Sequence, residues 1–177
     1  METLKSACKL NDIKCIKKII TNDSFSWIQY DQYGMYPIHI LCKFGNNDII
    51  NWIICTYQTN IDWNVYNWNE HTCLFMIMSN PKLTNNEQLC LMTKCIIECS
   101  ANPYQVMNTH KPYLLFDVFI HMNVSYDMSI WIQFFKMLYP PNYKYNHRLL
   151  IFLKERIPTD TYQQLIPHIK SKLTRCS

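Results

Sequence analysis

The stretch that decides the fold is Asp31-Gln32-Tyr33-Gly34-Met35-Tyr36-Pro37-Ile38-His39, running on through Ile40-Leu41-Cys42-Lys43-Phe44-Gly45 to Ile54. It reads as a turn at Gly34, a short helix, a second turn at Gly45 and a second helix. Gly45 falls where the turn between the helices is expected to need φ > 0, which glycine adopts without steric cost. Beyond it Ile49, Ile50, Ile53 and Ile54 make an i, i+1, i+4, i+5 apolar stripe. A pair of short helices with one apolar face cannot bury that face alone. Similar units must flank it, and the sequence should repeat.

On the N-terminal side Leu4, Ala7, Cys8, Ile13, Ile16, Ile19 and Ile20 recur at helical spacing around Asn11-Asp12. Ala7-Cys8 corresponds to Leu41-Cys42, Asn11 to Gly45 and Ile19-Ile20 to Ile53-Ile54, at an offset of 34 residues. Residues 21–33, with Trp27, Tyr30 and Tyr33, read as the loop that delivers the chain to Gly34. On the C-terminal side Asp62-Trp63-Asn64 leads to Asn67-Trp68-Asn69-Glu70-His71-Thr72-Cys73-Leu74-Phe75, in which Asn67 is the turn residue and Glu70 stands for Gly34. The second helix of that unit is expected to bury Leu89, Met92, Ile96 and Ile97. A third turn follows at Asn108-Thr109-His110-Lys111. The turn starts at 34, 70 and 111 are 36 and 41 residues apart. The extra length sits in Asn80-Pro81-Lys82-Leu83-Thr84-Asn85-Asn86, read as an inserted surface loop of small entropic cost.

After Asp117 the pattern weakens. Val118, Phe119 and Met122, then Ile130, Trp131, Phe134, Phe135 and Leu138, read as a further helix pair stopped by Pro140-Pro141. A short helix over 147–155 and a terminal helix from Ile157-Pro158, broken at Pro167, complete the chain. The expected fold is all-α, with repeats over residues 1–125 and a divergent last repeat plus helical cap over 126–177.

Composition agrees with a folded chain: 177 residues, 49% hydrophobic and 17% charged, which disfavours disorder. The absence of an apolar run near 20 residues argues against a membrane span, and the first residues lack the order of a signal peptide. An intracellular protein is expected. Nine Cys, an odd number lying mostly in apolar helical runs, argue for buried thiols rather than a disulfide framework. A net charge of +4 dispersed along the chain predicts no nucleic-acid partner. With only two Gly, Asn is expected to make the turns.

Set against the ankyrin signature, a β-turn followed by T-P-L-H-x-A and two helices, the chain matches at Gly34, Pro37, Ile38 and His39, again at Thr72 and Leu74, and at the ending Ala101-Asn102-Pro103. It resembles ankyrin-repeat proteins over about residues 3–125. The resemblance implies a solenoid of about three to four degenerate repeats with short β-turn fingers and a C-terminal helical cap. The Ile- and Asn-rich, insertion-bearing repeats look like the ankyrin proteins of large DNA viruses, above all poxviruses, and like the short IκB-like viral ankyrins. That likeness implies a monomer in the host cytoplasm, also the nucleus, that binds a host protein in immune evasion. The candidates are a Rel/NF-κB-type factor and a ubiquitin-ligase component. For the latter, Ile157-Pro158-Thr159-Asp160-Thr161 is similar to the truncated F-box of poxvirus ankyrins; the alternative is a capping helix begun by Pro158. A cellular ankyrin scaffold is the competing class.

No nucleophile elbow, H-E-x-x-H, P-loop or dinucleotide fingerprint is present, so enzyme activity is not expected. His39 in this motif is expected to bond backbone of the neighbouring turn. Cys90, Cys95 and Cys99 lie at about 0°, 140° and 180° around a helix and do not converge on a metal. No cofactor is expected. Ankyrin partners are bound by finger tips and the exposed face of the first helices. These places fall at Gln32, Tyr33 and Met35, at Tyr66, Trp68, Asn69 and His71, and at Met107, Thr109 and His110. For Trp68 two readings are open, a partner contact and packing on the adjacent finger; Trp63 is expected to pack.

Overall fold

The computed structural model describes residues 1–108, 110, 113–121, 128–139, 154–155, 159–160, 162–163 and 165–167. Eight helices can be followed among them: α1 Glu2–Leu10, α2 Ile13–Ile20, α3 Pro37–Phe44, α4 Asn47–Tyr57, α5 Cys73–Met78, α6 Asn85–Glu98, α7 Leu115–His121 and α8 Met128–Leu138. The described residues contain no strand beyond an isolated bridge between Met107 and Tyr113. The chain divides into two compact units, Met1–Met122 and Asn123–Ser177.

In the first unit α1–α2, α3–α4 and α5–α6 are helical hairpins stacked through their inner helices, α1 on α3 and α3 on α5, while α6 packs on α4. Each second helix begins with a side-chain cap. Asp12 accepts from Cys15 N at 2.9 Å, Asn46 from Ile49 N at 3.0 Å, and Thr84 from Glu87 N at 3.3 Å. Glu87 returns a bond from Thr84 N at 2.8 Å, completing a capping box. The apolar stripes then close the layers. Ile38, Leu41 and Cys42 of α3, Ile49, Ile50, Ile53 and Ile54 of α4, and Leu74, Ile77, Leu91, Met92 and Cys95 of α5 and α6 are all buried.

Three expectations change. Gly45 has φ −73 and ψ 153, so it makes the turn in extended rather than left-handed backbone. Glycine is required there by space: a Cβ would stand 2.5 Å from Leu41 O. Its counterpart Asn11 does take the left-handed form, at φ 56. Ile97 is 74% exposed, because the core-facing stripe of α6 runs through Gln88, Leu91, Met92 and Cys95 and leaves Ile97 outside it.

The third change concerns the segment after α5. Asn80 is fully buried, and its Nδ2 donates to Cys42 O and Gly45 O, both at 2.8 Å. Lys82 Nζ donates to Cys8 O at 2.8 Å, Lys9 O at 2.9 Å and Asn11 Oδ1 at 2.8 Å. Carbonyls at a helix C-terminus have no partner within the helix and carry partial negative charge. The added residues therefore cap α3 and, two hairpins away, α1. They clamp the stack instead of looping off it.

In the second unit α8 buries Phe134, Phe135 and Leu138, and the Phe135 and Tyr139 rings stack at 5.2 Å. The expected turn at Lys111, the stop at Pro140-Pro141, most of the 147–155 helix, and Ile157, Pro158 and Thr161 of the F-box-like segment lie outside the described residues.

Candidate protein-interaction surface

The fingers precede α3 and α5. In the first, Asp31 Oδ1 accepts from Tyr33 N and Met35 N, both at 2.9 Å, and the chain closes with Gly34 N to Asp31 O at 2.9 Å and Asp31 N to Met35 O at 3.0 Å. In the second, Asn67 Oδ1 accepts from Asn69 N at 3.0 Å and His71 N at 2.9 Å, Glu70 N reaches Asn67 O at 2.8 Å and Asn67 N reaches His71 O at 3.2 Å. The two networks are the same, 36 residues apart. Gly34 has φ +68 and Glu70 φ 58, so Glu70 holds a left-handed position that costs an L residue about 1–2 kcal/mol. The third finger is wider. Met107 and Tyr113 exchange backbone bonds at 2.8 and 3.0 Å, and Asn108, at φ 61, accepts from His110 N at 3.1 Å.

His39 ties the first finger to the approach of the second. Its Nδ1 accepts from Tyr36 N at 3.2 Å and its Nε2 lies 3.1 Å from Val65 O. A backbone N–H can only donate and a carbonyl can only accept, so these partners require the neutral ring with the proton on Nε2. Beside it, burial raises the Cys73 thiol, but a hydrogen bond with Cys42 and the nearby His39 ring draw it down, to about 6. The Tyr36 N–H directed at Nδ1 opposes the imidazolium that a thiolate would need. Neutral thiol and neutral ring satisfy every bond, a structural role for both.

The expected binding residues separate into two groups. Tyr33 is exposed, Met35 half-buried and His110 exposed. Trp68 joins both of its readings. Its indole lies on Gly34, where a Cβ would stand 2.1 Å from Trp68 Cδ1, and beside Tyr30 at 5.8 Å, yet the residue stays 65% exposed. The other residues hold fingers together. Tyr66 Oη donates to Val106 O at 2.7 Å, and His71 stacks on Phe75 at 3.9 Å with Nε2 at 3.2 Å from Tyr113 Oη. Met107 is fully buried, which removes it from the expected partner surface: its backbone makes the bridge and its side chain is core. Thr109 lies outside the described residues. Trp63 is buried.

The remaining motif residues do backbone work. Pro37 opens α3, Thr72 Oγ1 caps α5 through Phe75 N at 3.3 Å, and Leu74 is core. Ala101 is buried, Pro103 likewise, and Asn102 Oδ1 accepts from Tyr104 N at 2.9 Å, as Asp62 does from Asn64 N. Asn64 joins the two endings by donating to Ser100 O and accepting from Asn102 N.

The structure adds members that sequence reasoning missed. Tyr30 and Val106 are exposed beside Trp68 and Tyr66. Lys5 Nζ stands 5.8 Å from the Tyr33 ring and 5.6 Å from Phe44, with Lys9 Nζ 5.5 Å from Phe44. The i, i+4 spacing of Lys5 and Lys9 on α1 was the available signal. Among the described residues no three His, Cys, Asp or Glu are gathered so as to hold a metal. Cys90 is exposed while Cys95 and Cys99 are buried.

Stacked helical hairpins joined by β-turn fingers define an ankyrin-type repeat, and the ankyrin-repeat family model matches residues 33–63, which hold most of the first finger with α3 and α4. No curated protein matches the chain. Among solved structures it is similar to a chain of the Bd0816 predatory endopeptidase from Bdellovibrio bacteriovorus in complex with immunity protein Bd3460. The TM-score is 0.65 at 16% identity, covering 94% of this chain and 81% of that one. At that identity the likeness concerns the fold. An ankyrin repeat speaks for a protein-protein interaction module.

Proposed function

We propose that the chain is a non-enzymatic interaction module that binds a host protein along its finger edge, chiefly through Tyr33 and Trp68 with Tyr30 beside them. The observation that carries this is the exposure of Trp68 over Gly34. The ring keeps one face for a partner while the fold keeps its core residues inside, and aromatic side chains placed this way are the usual hot spots of interfaces. The sequence resemblance to viral ankyrin proteins supplies the partner classes: a Rel/NF-κB-type factor, or a ubiquitin-ligase component engaged through the tail at Ile157-Pro158, in the host cytoplasm or nucleus.

The test is affinity capture from host cells with the wild type and a Tyr33/Trp68/His110 triple alanine variant whose fold is verified by circular dichroism. Recovery of a Rel-type factor or a ligase subunit by the wild type alone supports the finger-edge reading and selects the branch. Recovery by both proteins moves the binding surface away from the fingers.

A further inference from the structure

We propose that the N-terminal end of the stack, on its α2 side, is a second docking site, for an acidic amphipathic helix of another protein. It is independent of the finger edge.

The argument compares equivalent positions in consecutive hairpins. At the 34-residue offset Ile16 and Ile20 of α2 correspond to Ile50 and Ile54 of α4, and all four are buried. Cys15 and Ile19 correspond to Ile49 and Ile53. The α4 pair is fully buried, whereas Cys15 and Ile19 are only half-buried. They line a cavity of about 480 Å³ together with Leu4, Lys18 and Phe25. That volume is of the size that apolar binding sites have. The cavity exists because the positions that an interior hairpin covers with its predecessor have no predecessor here.

The inner helix of the same end is finished differently. Thr3 and Ser6 of α1 are exposed where Pro37 and Ile40 of α3 are buried, which is the polar face expected of a terminal repeat. The end is therefore capped over α1 and left apolar over α2, a surface one helix wide.

Charge selects the occupant. α2 carries Lys14, Lys17 and Lys18 and no acidic residue, and Asp12 before it is committed to the N-cap. Lys18 corresponds to Trp52, which in the interior receives the Lys17 ammonium of the preceding hairpin at 5.0 Å from its ring. With a lysine in that place, the complementary group is a carboxylate. A second copy stacked end to end would set these lysines against each other, so a helix with an apolar stripe flanked by Glu or Asp fits better than self-association.

The test uses the full chain and a fluorescein-labelled helical peptide of Glu, Ala and Leu, with Leu at i, i+3, i+4 and i+7, against the same peptide with Lys for Glu. Fluorescence anisotropy is expected to show the Glu peptide binding at least about tenfold more tightly. Lys18→Glu, an exposed change that leaves the core alone, is expected to reverse the preference. Ile19→Asp is expected to abolish binding, and the finger triple variant to bind as the wild type does. Equal affinity for both peptides, a preference unmoved by Lys18→Glu, or a dimer by light scattering that Ile19→Asp dissolves would each overturn the proposal.

Discussion

The second and third hairpins answer the same structural demands with different residues. The second keeps the motif: Asp31 and Gly34 make its finger, Pro37 opens α3, and Asn46 starts α4 after a tight turn. The third replaces Asp by Asn67, Gly by Glu70 and Pro by Cys73, and extends the turn between its helices. The finger network survives because it needs only one side-chain oxygen at its first position and a left-handed backbone at its fourth. The turn does not survive. Its added residues reach back to cap α3 and α1, so the hairpin with the weaker motif holds the stronger one in place.

The largest expected difference between the hairpins lies in their second helices. Ile53→Ala should cost roughly 2–5 kcal/mol, because it opens a cavity in a fully buried layer. Ile97→Ala should stay within about 0.5 kcal/mol, since that side chain is already in solvent. Chemical denaturation of both variants would test the pair; equal losses would break the assignment of faces.

Next comes the clamp. Asn80→Ala leaves Cys42 O and Gly45 O without their donor and should cost about 1–3 kcal/mol, against about 1 kcal/mol for removing the ordinary cap with Asn46→Ala. If the two melt alike, the added segment is a surface loop after all.

The fingers give smaller effects of opposite sign. Gly34→Ala should destabilise by about 1–2 kcal/mol, because it puts an L residue at φ +68 beneath the Trp68 ring. Glu70→Gly should stabilise by up to about 1 kcal/mol by relieving the same strain. Thermal melts of both variants test whether position and backbone, rather than residue identity, define the finger.

The smallest effect is a pH dependence. Burial lowers the His71 pKa from its ordinary 6.5, and the neighbouring Lys43 and His39 lower it further. The folded chain then binds fewer protons at this residue than the unfolded chain. The contribution of His71 is fully present above pH 6.5 and is lost as pH falls below that value. Comparing Tm against pH for the wild type and His71→Asn should show a shallower acid slope for the variant; parallel slopes would refute the assignment.

Much of the fold was legible because repeat spacing, apolar stripes and cap residues are local properties. The Gly34 turn, the paired helices of residues 37–57 and the 34-residue correspondence with α1–α2 all follow from spacing. Boundaries of faces were harder to read. Ile96 and Ile97 are as apolar as Ile53 and Ile54, and only the rotation of α6 against α4 puts Ile97 outside. The site was legible in part. Tyr33 and Trp68 stand out as aromatics in polar turns, but Met107 in a similar turn is core, because the wider third finger folds it inward.

The sequence by itself determined the hairpins, their caps and the finger turns, since each depends on side chains reaching backbone a few residues away. Only the tertiary structure decided which residues meet across hairpins: Lys82 on the carbonyls of α1, Asn80 on those of α3, Trp68 on Gly34, and the open face at Cys15 and Ile19. Those contacts join residues 34 to 74 positions apart. Stacking geometry selects such partners from many with the same chemistry, and no local periodicity records the choice.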